Sequence, residues 1–147
     1  MNYWTLVFVL TFIGMEFVAW ALHKYVMHGF LWTLHEDHHV VDPNKNFQKN
    51  DFFAIFFAVP SFLLILFDSI SGKPLLGALG FGIMAYGFAY FFVHEVIIHR
   101  RLKFNYLKSN RYFKGLNSAH KIHHSIRTKH GASCFGMLAV PFKYYKK

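Results

Sequence analysis

Residues 23–39, HKYVMHGFLWTLHEDHH, hold five histidines with the spacing HX4H followed by HX2HH. The same spacing returns later in the chain, as HEVIIH at residues 94–99 and HKIHH at residues 120–124. On an α-helix the three histidines of HX2HH fall on one face, the second and third within about 60° of the first. Neutral imidazole is the commonest protein metal ligand. The repeated spacing therefore predicts two metal-binding faces.

The HX4H pairs are harder to place, because residues five apart lie about 140° apart on an α-helix. We expect them to flank a site or to lie where a helix ends, and Gly29 directly after His28 is a candidate end. Zinc usually takes four ligands and octahedral metals take six, so ten histidines predict two ions. The candidate ligands are His23, His28, His35, His38, His39, His94, His99, His120, His123 and His124. His130 lies outside both motifs and is interpreted as an ordinary polar residue.

Composition narrows the class of protein. At 147 residues, with 54% hydrophobic and 20% aromatic residues, the chain is predicted to be a single membrane-embedded domain over residues 1–147. Cys134 is the only cysteine, which excludes an internal disulfide and a cysteine-ligated iron–sulfur cluster. No Walker or GxGxxG-type fingerprint appears in the sequence, so any redox chemistry would need external electrons. The basic residues behind the net charge of +9 lie beside apolar runs and do not form a separate stripe, so no nucleic-acid partner is predicted.

Three apolar runs predict spanning helices, at residues 3–22, 52–67 and 75–93. The first has twenty residues, about what a ~30 Å hydrocarbon core requires, and is predicted to be retained rather than cleaved as a signal peptide. The second has sixteen residues and contains Pro60. It is short for a span, so we expect it either to thin the bilayer locally or to let its flanking aspartates reach the interface.

The remaining segments predict shorter pieces. Residues 29–50 are interpreted as a loop that carries a short HEDHH helix, and the basic, aromatic stretch from Arg100 as a segment in the interface plane. Ser118 is the candidate N-cap of the HKIHH helix. Residues 131–142 are apolar but too few to span, which indicates an interfacial or re-entrant piece. The predicted fold is an all-α integral membrane bundle of about three spans plus interfacial helices.

Three spans place both histidine sets on the same side of the membrane. Fifteen of the sixteen Lys and Arg lie in residues 23–50 and 94–147, and Lys73 alone falls in the opposite loop. The positive-inside rule therefore predicts a cytoplasmic histidine site. Residues 94–147 carry twelve basic residues against the single acid Glu95, a charge that would attract either an acidic electron carrier or anionic lipid.

Three carboxylates are candidates for orienting the histidine rings, namely Glu16, Glu36 and Glu95. Glu36 is equally compatible with a solvated loop. Glu16 lies within the first span, where a carboxylate is costly, and either lines a substrate cavity or hydrogen-bonds a neighbouring helix. The small-residue pairs Ala78 with Gly82 and Ala85 with Ala89 indicate either close helix packing or room for a slender substrate.

With these motifs the chain resembles the fatty acid hydroxylase superfamily of non-haem di-iron membrane enzymes. The stretches IGMEFVAWALHKYVMHG, AYGFAYFFVHEVIIH and AHKIHHSIRTKHGASCFGMLAVP are similar to those of its bacterial β-carotene 3-hydroxylase branch. The chain departs from that branch at Glu95-Val96, where members often have Asp-Gly. The carboxylate is retained, so we expect altered rate or specificity rather than lost chemistry.

The resemblance implies a monooxygenase that hydroxylates C3 of carotenoid β-rings, turning β-carotene into β-cryptoxanthin and then zeaxanthin. It implies two iron ions on the ten histidines, with zinc as an alternative occupant of a purified sample, and O2 as co-substrate. It further implies a ferredoxin-type electron donor, a substrate that enters from membrane lipid, and a bacterial inner (plasma) membrane location. The alternatives are a fatty acid or sterol hydroxylase or desaturase with the same metal core, and a non-enzymatic membrane protein that binds metal or haem.

Overall fold

A computed structural model describes residues 2–42, 44–45, 47–102 and 110–146, and every regular element in those residues is helical. The prediction of an all-α fold is confirmed. The α-helices of the described ranges are α1 (Tyr3–Ala21), α2 (Trp32–His39), α3 (Ile55–Ser71), α4 (Pro74–Phe91) and α5 (Arg111–His124). Two π-helical segments, Leu22–Phe30 and Phe92–Ile98, continue α1 and α4, and 3-10 turns occupy Lys49–Ala54 and Phe142–Tyr145.

In the described part of the chain, three continuous helical stretches are long and apolar enough to cross a membrane, at Tyr3–Phe30, Lys49–Ser71 and Pro74–Ile98. The second has 23 residues, so its helix is longer than the sixteen-residue apolar run from which the span was predicted. Its helix extends past the aspartates at both ends, and near the C-terminal end Ser69 and Ser71 donate their hydroxyls to backbone carbonyls of the preceding turn. Gly72, with φ 64°, then ends the helix in the left-handed conformation.

Helix starts follow capping chemistry, though not always where we expected. Asn2 caps α1 by accepting from the Thr5 N–H at 2.8 Å. Asn110 caps α5 by accepting from the Tyr112 N–H at 2.8 Å. The prediction that Ser118 caps the HKIHH helix is therefore wrong. Because Asn110 satisfies the first turn eight residues earlier, Ser118 lies inside α5.

Helix α4 is the centre of the bundle and packs on both α1 and α3. A Cβ added to Gly82 would meet Thr11 of α1, and one added to Gly80 would meet Ile65 of α3. Ser61 of α3 donates its hydroxyl to the Gly80 carbonyl at 2.8 Å. Ala78 is fully buried in the same region. The small residues near the start of α4 therefore serve close helix packing.

After α5 the chain runs back to α1 as irregular backbone. Glu16 of α1 accepts the backbone N–H groups of Met137, Leu138 and Ala139 at 2.8–3.1 Å, and the Tyr86 hydroxyl at 2.7 Å. Non-helical backbone is tolerated at membrane depth where protein groups satisfy it, as this carboxylate does. Of the predicted interfacial segment that begins at Arg100, residues 103–109 lie outside the described residues.

Candidate metal site

The HX4H pairs are built on π-helix, which explains a spacing that an α-helix does not suit. The His99 N–H donates to the His94 carbonyl, five residues back, at 2.9 Å. Because i→i+5 bonds close a π-turn, residues five apart come much nearer to one face. The ring centroids of His94 and His99 are 4.5 Å apart, and those of His23 and His28 are 5.4 Å apart. The first π-helical segment then kinks at Gly29, the expected end.

The ten histidines meet at one end of the bundle, and nine of them form two groups, within each of which the ligand nitrogens lie within 4.8 Å of one another. We name them the first and second clusters. The first cluster contains His23, His28, His35, His39 and His123. The second cluster contains His38, His94, His99 and His120. Each cluster thus takes most of its histidines from one sequence set and one histidine from the other.

The exchanged residues are His38 and His123, which occupy the same position in the two HX2HH motifs. Because of this exchange, the two clusters are built from equivalent positions of the repeated motifs and show internal pseudo-two-fold symmetry. His124 corresponds in that scheme to His39 and lies beside the second cluster, with its ring centroid 4.3 Å from that of His120. Its Nε2 is buried and has no hydrogen-bond partner within the described part of the chain. A buried, unpartnered nitrogen is what an additional ligand to the second cluster would present.

The ring nitrogens of the first cluster are oriented mainly by backbone. Nδ1 of His23, His28, His39 and His123 donates to carbonyls of Phe135, Lys129, Ile126 and Ser133, at 2.8–3.1 Å. All four carbonyls belong to the irregular segment that follows α5. The exception is His35, whose Nδ1 donates to the Asn50 side-chain oxygen at 2.6 Å. One loop therefore sets the tautomer of most rings in this cluster.

Side chains orient the second cluster. Nδ1 of His94 donates to Glu95 at 2.6 Å, and Nδ1 of His38 donates to Gln48 at 2.9 Å. Arg101 joins these two supports, since it donates to Gln48 at 2.8 Å and its Nε forms an ion pair with Glu95 at 2.7 Å. It also donates to both carboxylate oxygens of Asp51, at 3.0 and 3.2 Å. A single arginine thus connects the supports of His38 and His94.

The Nε2 atoms of neighbouring rings face each other. The Nε2–Nε2 distance is 3.1 Å between His23 and His35, and also between His38 and His94. Because Nδ1 of each of these rings donates its proton elsewhere, both facing nitrogens carry lone pairs. Facing lone pairs repel unless a cation lies between them. Two adjacent ligands at a metal–nitrogen distance of about 2.1 Å would be about 3 Å apart at a right angle, so the donor set fits a transition metal.

Burial keeps neutral the rings of four histidines that lie outside the candidate spans, namely His35, His39, His123 and His124. Desolvation, with smaller contributions from neighbouring imidazoles, lowers the pKa of His39 to about 4 and that of His123 to about 3. The same causes lower the pKa of His35 and of His124 to about 2. Since the ordinary histidine pKa is near 6.5, these rings are uncharged at pH 7 and offer a lone pair to a metal.

The three candidate carboxylates have different positions. Glu95 contacts a ring directly. Glu16 contacts no ring. It hydrogen-bonds Tyr86 of the neighbouring helix α4 and holds the loop whose carbonyls orient the first cluster, and it also lines a cavity beside α1. Glu36 is exposed on α2 and is not brought to the rings. His130 is also exposed and lies in neither cluster.

Sequence reasoning missed Gln48, Asn50 and Arg101. The first two lie in a stretch interpreted only as polar loop, and Arg101 lies in one interpreted only as basic. Asp37 helps to fix this loop by accepting the backbone N–H of Lys49. The available signal was that histidine ligands usually donate their second nitrogen to an oxygen, which directs attention to amide side chains near the motifs.

Three spanning helices with two buried histidine clusters at one end define a membrane-embedded metal-binding protein. The profile of the Fatty acid hydroxylase family matches residues 8–142, and the chain belongs to this family. As the sequence predicted, it is a hydroxylating oxidoreductase.

Curated relatives carry the name Beta-carotene hydroxylase. The relative from Pantoea ananas is 43% identical over 137 residues, which are 92% of this chain and 77% of the relative. That from Pseudescherichia vulneris is 38% identical, over 91% of this chain and 75% of its own length. The relative from Paracoccus sp. (strain PC1) is 32% identical, over 92% of this chain and 83% of its own length. No solved structure matches the chain.

Proposed function

We propose that this protein is a membrane monooxygenase that hydroxylates C3 of carotenoid β-rings, converting β-carotene to β-cryptoxanthin and then to zeaxanthin. The observation that carries the proposal is the pair of buried clusters with converging Nε2 atoms at the end of a membrane bundle. The similarity to β-carotene hydroxylases of several bacteria supports the choice of substrate. The protein acts as one domain over residues 1–147.

The ten histidines would hold two iron ions, and the bound metal would supply the activation of O2. Five histidines would serve each ion, with His124 completing the second cluster. One oxygen atom of O2 becomes the hydroxyl in place of a C3 hydrogen, and the other leaves as water after two electrons and two protons are supplied. The role of the protein in this chemistry is to keep Nδ1 of the rings protonated, so that Nε2 is free to bind metal, and to bury the rings away from water.

The geometry of the rings argues against bis-histidine haem. Axial nitrogens on opposite faces of one haem iron lie about 4 Å apart, given a metal–nitrogen distance of about 2 Å. The Nε2 atoms of His28 and His39 are 3.1 Å apart, and those of His99 and His120 are 2.9 Å apart. Rings this close are neighbouring ligands of one ion rather than partners across a porphyrin.

Electrons come from an external acidic carrier of the ferredoxin type. The chain has a single cysteine and no internal electron-carrier motif, while residues 94–147 carry a large basic excess. Such a surface steers an acidic protein at a rate that falls with ionic strength. The positive-inside rule supports an inner-membrane location with this surface in the cytoplasm.

Two experiments test these finer points. Charge reversal by Lys114→Glu with Lys146→Glu should slow reduction by ferredoxin and weaken its salt dependence, whereas Lys73→Glu at the opposite loop should not. Unchanged kinetics in an inserted protein would exclude docking at this surface.

For orientation, cysteines placed at Lys45 or Lys146 in a Cys134→Ser background should resist a membrane-impermeant thiol reagent added from the periplasm, and one at Lys73 should react. The reverse labelling pattern would overturn the orientation.

The reaction itself is tested in cells that accumulate β-carotene. Expression of the chain should yield a mono-hydroxylated and then a di-hydroxylated pigment, resolved by chromatography, and the purified protein should contain about two iron ions per chain. His38→Ala, which removes one ring, serves as the inactive control. If β-carotene stays unchanged in aerobic, iron-replete cells with adequate ferredoxin while a fatty acid or sterol gains a hydroxyl, the carotenoid assignment is wrong and the alternative hydroxylase replaces it.

A further inference from the structure

The hairpin of α3 and α4 is closed at its turn and open at its histidine end. Near the turn a Cβ on Gly77 would collide with Asp68, and one on Gly80 would lie within 3 Å of Ile65 and of the Ser61 carbonyl. Two turns further along α4, a Cβ on Gly87 would meet nothing within 4 Å. The two helices therefore diverge as they approach the site.

The space between them is a groove of about 710 Å³, which we name the α3–α4 groove. Its walls are almost wholly apolar and include Ala58, Phe62, Ile83, Met84 and Phe91. Phe62 is 63% exposed and Phe91 is 51% exposed. Both lie within the candidate spans, where the surroundings of an exposed face are lipid tails. The groove is thus accessible from the bilayer.

The inner end of the groove reaches the supports of both clusters. Among its lining residues are Asn50, which accepts from His35 of the first cluster, and Glu95, which accepts from His94 of the second. Tyr90 lines the groove as well, and its ring centroid lies 5.1 Å from that of His94. A molecule lying in the groove would therefore direct its innermost atoms toward the space shared by the two clusters.

We propose that the α3–α4 groove binds the ring end of a cyclic isoprenoid hydrocarbon and that Gly87 sets its width. The inference rests on the proposed function, which supplies the substrate class. A groove of this volume accommodates the ring and the first part of the polyene, within the usual range of ligand cavities. The rest of the molecule remains between lipid tails. The missing side chain at Gly87 leaves room for the ring methyl groups.

A second cavity makes a poorer candidate. It has about 470 Å³ and lies between α1 and the loop after α5, with Glu16 among its lining residues. No histidine, and no residue whose side chain supports one, lines it apart from that carboxylate, which acts through the loop. A hydrocarbon there would contact a carboxylate rather than the ring supports. Of these two cavities, the α3–α4 groove is the one that combines an apolar wall with an end at the supports of both clusters.

Gly87→Leu tests the groove, with Gly14→Leu as its matched control. Both glycines lie in spanning helices and a Cβ added to either would meet no protein atom within 4 Å, but only Gly87 lines the groove. We expect Gly87→Leu to lower kcat/KM for β-carotene by about tenfold or more, mainly through KM, because the added side chain occupies the space of the ring. Iron content should equal that of wild type. Gly14→Leu should match wild type in both measurements.

The outcomes separate this inference from the proposed function. If wild type hydroxylates β-carotene and Gly87→Leu does so with the same kcat/KM, the groove assignment is wrong and the function stands. If wild type does not act on β-carotene, the proposed function is wrong, and binding of β-carotene to the groove is then measured by photocrosslinking. A diazirine amino acid at Met84 should form a β-carotene adduct on irradiation, and one at lipid-facing Leu10 should not. Equal adduct at both positions overturns the groove, and this readout also applies if Gly87→Leu does not fold.

Discussion

The two clusters match in their histidines and differ in what holds the rings. In the first cluster, four of five Nδ1 atoms donate to backbone carbonyls of one loop. In the second cluster, the described supports are the side chains of Gln48 and Glu95, joined by Arg101. A backbone carbonyl cannot be removed by a point substitution, whereas a side chain can. A point substitution can therefore remove the described ring supports of the second cluster, but it cannot remove the four carbonyl supports of the first.

The difference extends to the electronic character of the rings. Glu95 is a carboxylate in contact with His94, and a carboxylate partner raises the basicity of a histidine ligand more than a neutral carbonyl does. The first cluster has carbonyl and amide partners only, among the contacts described. Two ions held in these clusters would thus experience unequal donors, although the sequence repeats the same motif.

The largest expected effect comes from the exchanged histidines. His38→Ala should remove metal from the cluster that contains His94, and His123→Ala from the cluster that contains His23, because each supplies a ring to the opposite set. Either change should reduce turnover by more than the roughly 10–100-fold typical of an outer partner. Iron content per chain and product chromatography are the measurements. His130→Ala is the control, and a wild-type iron content in His38→Ala would break the assignment of the second cluster.

Arg101→Gln should have the next largest effect and act on one cluster. It removes the charge that joins Glu95 to Gln48, so His94 and His38 lose their common support. We expect metal affinity of the second cluster to fall by about 10–100-fold while the first keeps its ion. Chelator titration followed by metal analysis resolves the two sites. Arg100→Gln, the adjacent exposed arginine, is the control. Simultaneous loss of both ions would show that the clusters are not supported separately.

Glu16→Gln should weaken the first cluster through its loop. The carboxylate accepts three backbone N–H groups and the Tyr86 hydroxyl, and charged acceptors form stronger hydrogen bonds than amides. The expected cost is about 2–4 kcal/mol in unfolding free energy, measured in detergent, with a preferential loss of the first ion. Glu36→Gln, on the exposed face of α2, should change neither quantity. Preferential loss of the second ion in Glu16→Gln would contradict the role of the loop.

Asn50→Ala should have the smallest effect. Asn50 is the only described side chain that supports a ring of the first cluster, so its removal frees His35 alone while the four carbonyl contacts remain. We expect about a tenfold loss of affinity for the first ion, at the low end for such partners. Asn44→Ala, at an exposed position in the same polar stretch, is the control. A loss as large as that of Arg101→Gln would mean that side chains dominate both clusters.

Much of the site could be predicted because its signals are local. Hydropathy located the three spans, and the repeated histidine spacing identified the ten residues that meet at one end of the bundle. The differences from the predicted helix ends are also local in origin. The second helical stretch extends beyond its apolar run, to Lys49 and Ser71, and α5 is capped by Asn110 rather than Ser118 because the earlier residue already satisfies the first turn.

By itself, the sequence determined the membrane helices, the histidine set and the family, because hydrophobicity and motif spacing are properties of neighbouring residues. Only the tertiary structure decided that His38 and His123 exchange clusters, that Glu16 holds a loop more than 120 residues away, and that α3 and α4 diverge at Gly87. These outcomes depend on how helices pack and where irregular backbone finds its hydrogen bonds. No spacing along the chain encodes such contacts, since they join residues that become neighbours only on folding.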